Sequence, residues 1–213
     1  MGDIIALNTN TFNLVEIEGL NDDLLLPWFD LYETLFPSNE RMLVSAQIGA
    51  LQARMRGEET HDHLLAAVND QQELIGMIHY FLVPESDVAC LWYFAIRSNL
   101  HSQGLGSAMF RKLCDHLQPL NIRAMLFEVE IPTQAETPEQ HELAVRRITF
   151  YRRLGAHLLT GIDYLQDIGW HQPPTPMYLM VYPLRPLDAP QALGLAEAVF
   201  EGYVKQTGPL ALE

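Results

Sequence analysis

Basic residues are scarce in this chain. Over 213 residues, 13 Lys and Arg stand against 27 Asp and Glu, so the formal charge is 13 − 27 = −14. An acidic surface of this kind repels phosphate backbones and anionic headgroups, so neither nucleic acid nor membrane is an expected partner. It suits a cationic partner such as an amine, and it serves solubility equally well. Cysteine is nearly absent: Cys90 and Cys114 are the two present, both inside apolar stretches and without metal-ligand spacing. No disulfide framework and no metal are expected, and the expected compartment is reducing, the cytoplasm. His79, His157, His171 and the His61/His63 pair have no metal-like spacing either. Nowhere do about 18 apolar residues run together, which excludes a hydrophobic spanning helix. Met1 to Asn8 has no basic region and no long apolar run, so no signal peptide is read there. Repeats, low-complexity tracts and domain linkers are also lacking. With 48% hydrophobic and 19% charged residues, the chain nevertheless has material for a real core.

The most informative stretch is Ala89-Cys-Leu-Trp-Tyr-Phe-Ala-Ile96, followed by Arg97 to Ser102 and then Gln103-Gly-Leu-Gly-Ser-Ala-Met-Phe-Arg-Lys-Leu-Cys-Asp-His-Leu117. The uncharged, aromatic-rich first part reads as a buried strand. Leu105, Ala108, Met109, Leu113 and Leu117 then recur at helical spacing. A strand, a loop with two glycines and a helix start make a natural anion site, because the first N–H groups of a helix lack partners and carry partial positive charge.

Around this centre the chain reads as strand Phe12–Ile17, helix Leu24–Phe36, and a stop at Pro37 with Ser38 or Asn39 opening a helix to about Arg56. His63–Asp70, Glu73–Pro84 and the central strand, joined by short polar turns, read as an antiparallel meander. Arg123–Ile131 is a strand, 132–141 a loop, Leu143–Leu154 a helix stopped by Gly155. Ala156–Thr160 and Met177–Tyr182 are strands flanking an irregular piece that contains Gly169-Trp170. Ala189–Gln206 has a helical pattern. The expected class is therefore mixed α/β, with helices on both faces of a sheet. Residues 1–186 form the domain, and 187–213 a helical extension that docks on it or lies at a homodimer interface.

The glycine spacing alone decides little, since a Gly-x-Gly triple arises about 0.8 times by chance in this composition. The dinucleotide fingerprint fails because Met109 stands at its third glycine, and the nucleotide-hydrolase loop fails for want of Gly-Lys-Ser/Thr. The longer string Ile96-x-x-x-x-His101-Ser-Gln-Gly104-Leu-Gly106-Ser-Ala, however, resembles the cofactor loop of the GCN5-related N-acetyltransferase (GNAT) superfamily. Ile148-Thr-Phe-Tyr-Arg-Arg-Leu-Gly-Ala156 resembles the second signature of that superfamily, in the right order and with a strand between.

The resemblance implies a GNAT fold, a mostly antiparallel sheet splayed at the cofactor strand, with acetyl-coenzyme A as cosubstrate. It implies that Ser102, Gln103, Gly104, Leu105, Gly106 and Ser107 offer backbone amides to the pyrophosphate, and that Phe94, Ala95 and Ile96 pair through their backbone with the pantetheine arm. His101 stands where the family most often has Arg or Gln, so it gives less charge to phosphate. Tyr151 occupies the family's general-acid position; the plainer alternative is that it packs on the inner helix face with Phe150 and Leu154. Phe127-Glu128-Val129 resembles the Leu-Glu-Val of N-terminal alanine acetyltransferases, whose Glu is a base, and the strand at Cys90 lacks the Glu that other members carry. Alternation puts Glu128 and Glu130 on one strand face, and both could instead pair with Arg123, Arg146 or Arg147. Arg146, Arg147, Arg152 and Arg153 read as a solvated helix face, or as partners for phosphates or an acidic acceptor. The expected activity is direct transfer of acetyl from acetyl-coenzyme A to a primary amine of a small molecule or peptide, in a ternary complex. Glu128 and Glu130 are candidate bases and Tyr151 the acid. The alternatives are a non-catalytic acyl-coenzyme A-binding or interaction module and an acyltransferase using a longer acyl chain.

Overall fold

The computed structural model of the chain describes residues 11–36, 40–167 and 173–213. The expected stop and cap at 37–39, the Gly169-Trp170 piece, His171 and the N-terminal segment lie outside them. The elements run β1 (Phe12–Glu16), α1 (Leu25–Leu35), α2 (Val44–Met55), β2 (Asp62–Asn69), β3 (Leu74–Leu82), β4 (Val88–Ile96), α3 (Leu105–Leu117), β5 (Ala124–Val129), α4 (Pro138–Leu154), β6 (His157–Gln166), β7 (Thr175–Pro183), α5 (Ala189–Val199) and β8 (Val204–Leu212). Strand order is β1-β2-β3-β4-β5-β7-β6-β8. The chain divides into two compact units, residues 1–80 with 93–117, and residues 81–92 with 118–213.

In the first unit β1 lies antiparallel to β2, from Phe12–Asn69 to Glu16–Leu65. The α1 stripe read from the sequence is its buried face: Trp28 and Tyr32 are wholly covered, and the Trp28 indole N–H donates to Leu65 O at 3.0 Å. That bond removes the cost of burying the indole's one polar group. Helix α3 buries Leu105, Met109, Phe110, Leu113 and Leu117, which is the predicted periodicity. The turn from β2 to β3 is closed by Asn69 N–H to Glu73 O at 3.0 Å, as the meander requires.

In the second unit β5 pairs parallel with β4 and antiparallel with β7, and β6 lies antiparallel to both β7 and β8. The β4–β5 ladder consists of Val88–Ala124, Ala89–Met125 and Cys90–Leu126, although β5 runs on to Val129. Helices cover both faces of β5. Tyr151 of α4 meets Phe127 at 4.4 Å between ring centroids, while Ala192 and Ala196 of α5 pack with Val88, Cys90, Ala124 and Leu126.

Three expectations need correction here. Helix α4 starts at Pro138, not near Leu143, because Thr137 and Gln140 form a reciprocal cap: Gln140 N–H donates to Thr137 Oγ1 at 3.2 Å and Thr137 N–H to Gln140 Oε1 at 3.1 Å. Helix α5 ends at Val199, and residues expected to continue it form β8 instead, paired with β6. Strand β6 does not stop at Thr160. It passes through a bulge at Gly161 and resumes with a shifted register, His157–Val181 and Leu158–Met180 before it, Tyr164–Met177 to Gln166–Thr175 after it. Gly161 has φ +82°, and an added Cβ would overlap Pro209 O and lie 3.0 Å from Gly208 O. Gly161→Ala should therefore cost roughly 1–3 kcal/mol or more, read as a fall of several degrees in Tm by calorimetry. An unchanged Tm would mean the bulge is not needed.

Among the described residues no helix is long and apolar enough to cross a membrane, and no cluster of three His, Cys, Asp or Glu is arranged to hold a metal. His79 is instead buried, with Nε2 2.9 Å from Asp62 Oδ1, and His63 Nδ1 lies 2.6 Å from Glu16 Oε1.

Candidate functional site

Two constellations carry the predicted residues, one in each unit. In the first, β4 ends with half-buried Phe94 and Ala95 and buried Ile96, and a single turn of 3₁₀ helix at Ser98–Leu100 leads into the loop. Ser102 and Gly104 take left-handed φ values of +64° and +79°. Alternating left-handed residues turn successive amides toward one side, which is how a backbone makes a concavity for anions. Residues His101 to Gly104 are exposed, and α3 starts immediately after at Leu105. The N–H groups of Leu105, Gly106 and Ser107 belong to the first turn of that helix, where no carbonyl of the helix reaches them. The donor set is thus uncharged backbone amide at a helix start, with exposed glycine in place of a bulky side chain. This fits a pyrophosphate and is indifferent to a metal.

His101 does not point its donor into that loop. Its Nε2 lies 3.0 Å from Ile96 O, so Nε2 carries the proton and braces the loop against the strand it left. The missing Arg or Gln is therefore replaced by a residue with a local structural partner.

In the second unit, β5 presents its successive side chains to different partners. Phe127 packs on Tyr151, which is buried and also touches Phe150 at 5.0 Å. Burial pushes the Tyr151 phenol up to about 12, with Arg147 opposing and Glu130 adding to the shift. It stays protonated at neutral pH. The neighbouring Glu128 points the other way. Antiparallel pairs share a face, so Glu128–Leu179, Tyr164–Met177 and Gln166–Thr175 place Glu128, Tyr164 and Gln166 on one side of the sheet. Both carboxylate oxygens are held there: the Tyr164 hydroxyl donates to Oε1, and Gln166 Nε2–H donates to Oε2 at 2.7 Å. Burial raises the Glu128 carboxyl above the ordinary range, and the two donors pull it part of the way back. Cys90, on the same face, is a buried thiol held protonated by burial and by the nearby Glu128.

Glu130 does not join Glu128. β5 ends at Val129, so strand alternation no longer governs Glu130, whose Oε1 pairs with Arg147 of α4. Its Oε2 is buried without a hydrogen-bond partner. The expected arginine pairing thus holds for Glu130 and not for Glu128, while Arg123 pairs with Asp87 at 2.8 Å. Arg152 meets Glu213 at 3.8 Å, and Arg146, Arg152 and Arg153 are exposed, the solvated face. Tyr164 and Gln166 lie beyond Thr160, where the sequence pattern ends the strand, so periodicity alone does not point to them. The signal in the sequence is an isolated glycine followed by Ile162-Asp-Tyr-Leu, a short run rich in strand-forming residues, which is compatible with a bulged strand.

Comparison with known proteins bears on the whole arrangement. A protein assigned to the GNAT family from Bacteroides thetaiotaomicron is 25% identical and superposes with a TM-score of 0.69, covering 88% of this chain and 98% of that one. The ribosomal-protein-S18-alanine N-acetyltransferase of Escherichia coli is 16% identical (TM-score 0.51, 83% of this chain and 96% of that one). An acetyltransferase of Bacillus subtilis in complex with CoA is 14% identical (TM-score 0.55, 82% and 100%). The last two show a shared fold alone. No curated protein sequence matches the chain. The model of the acetyltransferase (GNAT) family matches residues 25–155, from the start of α1 through Gly155, so the chain belongs to the GNAT family of acetyltransferases and is an enzyme.

Proposed function

We propose that this enzyme transfers the acetyl group of acetyl-coenzyme A directly to a primary amine of a small molecule or peptide. One observation carries the reading. Just past the last β4–β5 pair, Cys90–Leu126, β5 turns Glu128 to one face and, through Phe127, borders Tyr151 on the other. The amine adds to the thioester carbonyl and the thiol leaves from the adduct, so nitrogen must lose a proton at one point while sulfur gains one at another. A base on one face and an acid on the other of a strand that has lost its neighbour match that demand.

Coenzyme A supplies an activated thioester. The amides of residues 102–107 hold its pyrophosphate, with His101 bracing the loop, and backbone groups of Phe94, Ala95 and Ile96 hold its extended arm. The amine, whose reference pKa of about 10.4 keeps it charged in water, gives its first proton to solvent before attack, and Glu128 takes the second from the nitrogen as the C–N bond forms. As the C–N bond forms and the C–S bond breaks, Tyr151 gives its hydroxyl proton to the departing sulfur and regains one from solvent. Glu130 keeps Arg147 beside Tyr151 and is the weaker candidate base, because its one paired oxygen is already neutralised by that arginine. Residues 1–186 would constitute the catalytic domain, and 187–213 an extension whose α5 covers the Glu128 face.

Gly106→Asp tests the loop. A carboxylate at the helix start repels the pyrophosphate, so coenzyme A affinity measured by calorimetry should fall by roughly 10-fold or more. Unaltered affinity would place the pyrophosphate elsewhere.

A further inference from the structure

We propose that Tyr164 and Gln166 form a positioning clamp that holds Glu128 as an ionised, correctly aimed base. The inference rests on Glu128 being the base, and it assigns the specific function of the β6 bulge. Before the bulge, odd-numbered residues of β6 face the Glu128 side, since His157 is opposite Val181 and Leu159 packs in that cluster. After it, the even-numbered residues do, with Tyr164 opposite Met177 and Gln166 opposite Thr175. The register shift therefore sets Tyr164 and Gln166 opposite Met177 and Thr175, where the register before the bulge would have set Gly161 and Asp163. An unbulged strand would set a glycine and an aspartate there, adding a like charge and no donor.

The clamp reaches across β7, which separates β6 from β5, and so needs long side chains; tyrosine and glutamine have the length. Each carboxylate oxygen has two acceptor directions, and the clamp takes one on each. One direction per oxygen is left for the acceptor nitrogen. Tyr164 is itself fixed, buried at 4% exposure with its ring 5.0 Å from Phe200. The charged and titratable groups around the pair are few. Cys90 of β4 faces Glu128, Asp167 just past β6 acts on Tyr164 and is bonded by the Tyr203 hydroxyl at 2.5 Å, and β7 contributes apolar Met177 and Leu179. On α5 the one titratable residue, Glu197, is exposed. Among the described residues these neighbours include no cation, and the groups that favour the Glu128 carboxylate are the two neutral donors.

The sign of the effect follows. Both donors favour the carboxylate over the acid, so removing either raises the pH at which Glu128 loses its proton. The test is an infrared titration of the carboxyl band of the free protein, assigned to Glu128 by its absence in Glu128→Gln, alongside thiol release from acetyl-coenzyme A with the best amine of a primary-amine panel. Tyr164→Phe keeps the ring and should move the Glu128 midpoint up by roughly one pH unit, with the rising limb of the kcat–pH profile displaced upward by the same amount. Gln166→Leu should move it in the same direction, and serves if Tyr164→Phe lowers Tm enough to obscure the result. A midpoint unchanged in both variants overturns the clamp, even if activity falls. If Glu128→Gln itself keeps full thiol release, the assignment of Glu128 as base fails instead, and the titration still reports whether the clamp exists.

Discussion

Glu128→Gln should lower turnover by roughly 10²–10⁴-fold, the range typical for loss of a positioned general base. The substitution keeps shape and hydrogen-bonding size, so the loss is chemical. An amide offers one acceptor oxygen where the carboxylate offered two, so it can satisfy Tyr164 or Gln166 but not both donors. Stability should fall by only about 1 kcal/mol. The diagnostic is the pH profile of kcat. The wild-type profile rises as Glu128 ionises, at a pH above the ordinary carboxylate range because burial disfavours the charge. In Glu128→Gln that rise should vanish and leave a low, flat rate. A wild-type-like rate would transfer the base role to another group or to water.

Tyr151→Phe is the second large effect. It deletes one hydroxyl and leaves the ring contacts with Phe127 and Phe150 in place, so packing and coenzyme A affinity should be preserved while kcat falls roughly 10²-fold or more. With the phenol at about 12, Tyr151 is protonated throughout the physiological range and is available as a donor to the sulfur as the C–S bond breaks. The loss should shrink for thioesters whose thiols are more acidic, because such leaving groups need less help. A uniform loss across leaving groups would point to a packing role.

The parts of this fold legible in the sequence are those where pattern and tertiary structure agree. Val88–Ile96 is apolar because it is a central strand, and Leu105, Met109, Leu113 and Leu117 recur because α3 buries that stripe. The two motifs at 96–108 and 148–156 therefore sit on elements whose positions were readable. What was hidden depends on exceptions to periodicity. A glycine in the middle of β6 looks like an end of strand, yet here it is the bulge that turns Tyr164 toward Glu128. Leu193, Ala196, Val199, Phe200 and Tyr203 keep helical spacing beyond the end of α5, but Gly202 at φ +82° and the β-branched residues Val204 and Thr207 favour the turn into β8. The polar composition of 132–141 masked a capping box that was written in it, Thr137-Pro-Glu-Gln140. Glu130 departs from alternation for a simpler reason: it lies one residue past the strand that enforces it.

The acceptor amine is defined by chemistry that one assay reads. Purified protein is mixed with acetyl-coenzyme A and a panel of primary amines, including polyamines, aminoglycosides and basic peptides, and free thiol is followed together with the mass of the product. Amine-dependent thiol release, one acetyl group added to one amine, and loss of both in Glu128→Gln and Tyr151→Phe is the predicted result. Tight coenzyme A binding with no amine-dependent release across the panel, or release that survives both substitutions, would contradict acetyl transfer by these two residues.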